Sequence, residues 1–119
     1  MESQDTITIA PSVLISIARY AAAEVNGVAG TGVIPIDVMR VLKGSPMGSG
    51  VVLDVDGQKV AIDIYLHLVP NVNIREVCRT VQESIQRAIK ELVGMEVTSI
   101  NAHVEDVEFP ANLASARSK

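Results

Sequence analysis

The fold is decided by the run from Val51 to Val93, which opens VVLDVDGQKVAIDIYLHL over 51–68 and continues NIREVCRTVQESIQRAIKELV over 73–93. Val60, Ile62, Ile64, Leu66 and Leu68 alternate with Ala61, Asp63, Tyr65 and His67. A period of two puts one apolar and one mixed face on a strand. Val51, Leu53 and Val55 alternate in the same way with Val52, Asp54 and Asp56. Asp56-Gly57 between the two runs is a hairpin signal, because both residue types tolerate positive φ. The apolar face of this hairpin must be covered. The cover is predicted directly downstream, where Ile74, Val77, Cys78, Val81, Ile85, Ala88, Ile89 and Leu92 recur at helical spacing over 74–93. Asn73 is a good N-cap, Glu76 three residues on completes a capping-box-like pair, and Gly94 ends the helix. The outer face carries Arg79, Glu83, Arg87 and Glu91 at successive i,i+4 spacing, which predicts a mutually supporting charge ladder.

Upstream, Ile7 and Ile9 alternate with Thr6 and Thr8 and predict a short strand. Pro11 suits the first turn of a helix that runs to about Asn26, with Leu14, Ile17, Ala18, Ala21 and Val25 at helical spacing. Asn26-Gly27 supplies its stop. The segment 27–50 is irregular. A short helix is expected over Ile36–Lys43, with Val38, Met39 and Leu42 as its apolar face, followed by a mobile loop from Gly44 to Gly50. Downstream, Ile100, Ala102 and Val104 alternate with Asn101, His103 and Glu105 in a strand over 96–107. Val97 is out of phase with this set, so a bulge is expected near Thr98-Ser99. The order β-α-β-β-α-β predicts an α+β two-layer sandwich of ferredoxin-like type, with two main helices on one face of a small, mostly antiparallel sheet. Residues 1–110 are expected to form one domain and 111–119 a disordered tail.

Composition narrows the function classes. Of 119 residues, 48% are apolar and 20% charged, a globular balance. Fourteen acidic residues against ten basic ones give a net charge of −4, which offers no long-range attraction to phosphate backbones or anionic lipid. Aromatics are Phe109, Tyr20 and Tyr65 only, too few for base-stacking platforms. The lone Cys78 excludes an internal disulfide and suits a reducing compartment. The N-terminus lacks the pattern of a signal peptide, and no stretch reaches the ~18 apolar residues needed to span a bilayer. The chain is therefore expected to be cytoplasmic, with no direct membrane insertion and no nucleic-acid partner.

No catalytic, cofactor-binding or metal-ligating constellation emerges, so the chain is read as a non-enzyme with no cofactor. His67 and His103 lie on the mixed faces of strands that the ferredoxin-like order would separate, and read as solvated. Cys78 sits in the apolar stripe and reads as a small core residue. Gly27-Val28-Ala29-Gly30 matches the G-x-x-G loop of KH RNA-binding domains, but its flanks lack basic residues, and a helix stop accounts for it better.

One feature exceeds what a core requires. On a wheel at ~100° per residue, the first helix carries an apolar sector of about 220°, more than one buried face needs. The excess flanks are Val13 and Tyr20 on one side and Ile15 and Ala22 on the other. These four are the candidate interaction surface, unless the irregular segment 33–42 covers one flank.

The chain resembles the alkaline-shock-protein (Gls general-stress) family of bacterial envelope stress response proteins. The resemblance runs from Ile7 to about Val107. It rests on Ile7-Thr8-Ile9, Glu24-Val25-Asn26-Gly27-Val28, Gly50-Val51, Val60-Ala61-Ile62-Asp63-Ile64-Tyr65, Asn73-Ile74 with Val81-Gln82, Gly94-Met95-Glu96-Val97 and Ile100-Asn101-Ala102-His103-Val104, in that order. It implies a non-enzymatic scaffold or adaptor that self-associates as a homo-oligomer. It also implies binding to a small integral membrane anchor protein, so that membrane association comes through a partner. Two other readings stand beside it: a small-molecule-sensing regulatory domain, and a KH-like RNA-binding module.

Overall fold

The computed structural model describes residues 7–107. The tail expected over 111–119 lies outside the described residues. The elements are α1 (Pro11–Ala23), β1 (Val28–Thr31), α2 (Ile36–Val41), β2 (Met47–Gly48), β3 (Val51–Asp56), β4 (Lys59–Leu68), α3 (Ile74–Leu92) and β5 (Glu96–Val107). The α+β class, the sheet of mostly antiparallel pairs and the two main helices are as the sequence predicts.

Among the described residues, the strand expected around Ile7 and Ile9 is not formed. Residues 7–10 are irregular, and the sheet begins only after α1. The reason lies in β4, whose two edges are already filled. One edge pairs in parallel with β5 along its whole length, from Lys59↔Glu96 to Leu68↔Val107. The other edge pairs antiparallel with β3 over Lys59–Ile64 and with β1 over Leu66–Leu68.

β1 and β3 thus lie end to end as one long strand interrupted by residues 33–49. The break is closed at Tyr65, whose carbonyl accepts from Gly32 N–H and whose N–H donates to the Gly50 carbonyl at 2.8 Å. Gly50 has φ +78°, and a Cβ there would meet the Gly32 carbonyl oxygen at 2.6 Å. Glycine is therefore required where the excursion rejoins the sheet.

The excursion carries regular structure, including a strand inside the stretch 44–50 where the sequence predicts a loop. α2 spans Ile36–Val41, within the predicted helix, and β2 pairs with the start of β3 through Met47↔Val52 and Gly48↔Val51. Ser49 and Gly50, both at positive φ, make the two-residue turn between them.

The main core lies between the sheet and the two long helices. Leu14, Leu53, Ile62, Ile64, Val81 and Ile85 are among its fully packed members. α3 starts where predicted, with Asn73 Oδ1 accepting from Glu76 N–H at 3.0 Å, and Gly94 follows it at φ +80°. α1 ends three residues before the expected Asn26. The two helices run antiparallel, since Pro11 and Leu14 share a cavity with Val93 and Met95 while Gly27 lies against Val77. A second, smaller core sits on the opposite sheet face, where Ile34, Val52 and Tyr65 are covered by Val38, Leu42 and Met47. β5 spans the predicted residues and carries the predicted bulge, because the register passes from Val60↔Val97 to Ala61↔Ser99 and leaves Thr98 extra. A further bulge leaves Glu105 extra between Leu66↔Val104 and His67↔Asp106.

Candidate interaction surface

Among the four surface residues chosen from sequence, Tyr20 is 69% exposed and Val13 is also exposed. Ile15 is half-buried against the main core. Ala22 is corrected: it is 0% exposed, packed in the core beside Ala18 and Ala21. The excess apolar sector of α1 is thus absorbed by packing on one flank and left open on the other. Residues 33–42 do not cover the open flank. Ile34, Val38 and Leu42 of this segment pack on the far side of the sheet, around Tyr65 and Val52, while Val33, Ile36, Met39 and Val41 stay exposed.

On the open flank, α1 and α3 leave a groove of about 530 Å³ between them. Ile17, Tyr20, Ala21, Ala88 and Leu92 form its apolar lining, and Arg19, Glu24, Arg87 and Glu91 its charged rim. Ser84 Oγ donates to the Ala21 carbonyl at 3.2 Å and ties the two walls together. The Tyr20 hydroxyl faces Glu24 one turn on, which raises its pKa first as a hydrogen-bond acceptor and then as a negative charge. Sequence reasoning missed Leu92. It belongs to the apolar stripe of α3 and reads as core, yet it is 72% exposed. A stripe specifies direction around a helix but not how far the opposing surface extends along it.

The polar groups on the sheet converge more than the sequence order implied. β4 and β5 are direct neighbours, not strands separated by another, and Tyr65 is paired with His103. The two rings stack with centroids 4.5 Å apart, and His103 Nε2 lies 2.9 Å from Asp63 Oδ1. His103 and Asp63 are 41% and 32% exposed at the side chain, so these two are half-buried rather than freely solvated, and they rest on the buried Tyr65. His67 lies beside Gly32, and the extra residue Glu105 is turned to accept from Val33 N–H at 3.1 Å. A bulge re-aims a side chain in this way. Burial raises the pKa of Tyr65, with Asp63 and Glu105 adding to the shift. Among the described residues no group of three or more His, Cys, Asp and Glu could hold a metal ion.

Cys78 is half-buried, and burial pushes its thiol pKa up, away from the thiolate a nucleophile needs. Gly27 is at φ +105° against Val77 and Val72, and Gly30 lies in β1 opposite His67. The G-x-x-G residues are thus half helix stop and half strand, not the open loop that clamps a nucleic-acid backbone.

The pattern that defines the alkaline-shock-protein family, described as having a cell envelope-related function, matches residues 1–109. The chain belongs to that family. Among curated proteins it is 32% identical over 114 residues to the uncharacterized protein YqhY of Bacillus subtilis (strain 168), covering 92% of this chain and 84% of that relative. It is 26% identical over 104 residues to the uncharacterized protein YloU of the same organism, covering 85% and 87%. Two MamM CTD variants share the fold at TM-scores of 0.51 and 0.52, with 16% and 15% identity, each covering 82% of this chain and 95% of the other. The resemblance drawn from the sequence is therefore to the right family. No helix among the described residues is long and apolar enough to cross a membrane.

Proposed function

We propose that this member of the alkaline-shock-protein family is a non-enzymatic, cytoplasmic scaffold or adaptor of the cell envelope. It acts by self-association and by binding a small membrane-anchored protein. The observation that carries the reading is the groove between α1 and α3, where exposed Tyr20 and Leu92 meet on one apolar strip instead of being scattered. A contiguous apolar strip with a charged rim has the anatomy of a protein contact. The family's envelope-related function supports the envelope role.

The test is sedimentation of the purified chain, with cross-linking and pull-down from the membrane fraction of the native cell. Tyr20→Glu and Leu92→Glu leave the core intact and are expected to abolish self-association, capture of the membrane partner, or both. Unchanged assembly and unchanged capture in both variants rule the groove out. Capture of soluble enzymes or ribosomal material alone rules out the envelope adaptor role.

A further inference from the structure

We infer that the outer ridge of α3 is a two-fold contact with a second copy of this chain, in which the two α3 helices run antiparallel. The inference rests on the self-association reading and specifies its geometry. Arg79, Glu83, Arg87 and Glu91 are all exposed and follow one i±4 row. Among the described residues no ion pair joins any of them within the chain, so the predicted intrahelical ladder is not closed. The same row begins one step earlier with Arg75, also exposed, and from Arg79 on its four charges alternate strictly and face outward.

That alternation is self-complementary in one orientation only. A two-fold axis passing at the level of Ile85 sets Arg79 against the partner's Glu91 and Glu83 against the partner's Arg87, and each pair occurs twice. A parallel two-fold sets every charge against its own copy, with four like-charge contacts. An isologous interface requires this kind of self-matching. Two i±4 rows pack against each other with the helices crossing at about −50°, which keeps the rows aligned along their length. The rim residues Arg87 and Glu91 belong to both the row and the groove wall, so the contact is continuous with the apolar strip.

The experiment uses the full chain. Sedimentation at low salt is compared for the natural sequence, Glu83→Arg, and the double swap Glu83→Arg/Arg87→Glu. The single variant places Arg opposite Arg twice, and dimer affinity is expected to fall about tenfold or more. The double swap restores the pairing and is expected to recover it to within about threefold. Circular dichroism checks that each variant is folded. Orientation is read separately from spin labels at Thr80→Cys or Gln86→Cys in a Cys78→Ala background, positions that leave the charges untouched. An antiparallel dimer makes the Thr80 pair about 12 Å more widely spaced along the helix than the Gln86 pair, at 1.5 Å per residue. A parallel dimer makes the two spacings equal. Equal spacings, or a charge-reversed variant that associates as tightly as the natural chain, overturn the inference and leave self-association standing. A natural chain that stays monomeric at high micromolar concentration overturns both.

Discussion

The two faces of the sheet are built on different principles. The helix-covered face is a continuous apolar surface, with Val60, Ile62, Ile64, Leu66 and Leu68 all at 0% exposure beneath α1 and α3. The opposite face is shared between the small core of Ile34, Val52 and Tyr65 and the polar group of Asp63, His103 and Glu105. The first is made from long-period elements that bury whole stripes. The second is made by a single excursion from an interrupted strand. Stability should therefore reside mainly in the first, while the second should yield locally.

The largest effect expected is for Ile85→Ala, in the centre of the helix-covered core. It should cost about 2–5 kcal/mol and lower the melting temperature of the whole chain, because the cavity lies where packing cannot relax. A similar loss for Ile34→Ala would mean that the two faces are equally essential. Next is Gly50→Ala, expected to cost about 1–3 kcal/mol, since the added methyl group meets the Gly32 carbonyl at a left-handed backbone. Hydrogen exchange should show the loss concentrated in residues 33–49, and uniform loosening would contradict a local excursion. Asn73→Ala removes the cap of α3 and should cost about 1 kcal/mol in denaturant unfolding, acting on the helix-covered face alone.

The smallest effect is a pH dependence of the second face. Burial raises the Tyr65 pKa above its ordinary value of 10.0. A raised folded-state pKa means that the stability held by neutral Tyr65 is complete below the unfolded pKa. It is lost as the pH rises through the folded one, because the unfolded state gives up its proton first. Unfolding measured across this alkaline range should thus show a decline that Tyr65→Phe reduces. An identical decline in the variant would assign it to other groups.

The readable parts of this fold were those with strong periodicity. α3 with its Asn73 cap and β4 follow from spacing alone, because their apolar sets are long and in phase, and the bulge of β5 at Thr98 follows from the break in phase between Val97 and Ile100. The unreadable parts were competitions between segments. Ile7-Thr8-Ile9 has a strand pattern, but both edges of β4 are filled by other chain segments. The joining of β1 and β3 into one line was hidden by the intervening residues 33–49, whose glycines read only as irregularity. In the candidate surface, Tyr20 and Val13 are visible as surplus apolar residues, whereas Ala22 has a surface position on the wheel but is buried, and Leu92 lies in a core stripe but is exposed.

The sequence by itself determined the α+β class, the faces of the helices and strands, the alternating charge row on α3 and the family. Each is a local or periodic property, set by side-chain spacing against a backbone period of two or 3.6 residues. Tertiary structure alone decided which strands share an edge, that His103 reaches Asp63 and Tyr65, and that Leu92 stays exposed. These depend on how far one element extends over another and on which of several patterned segments occupies a limited edge. No single segment carries that information in its own spacing.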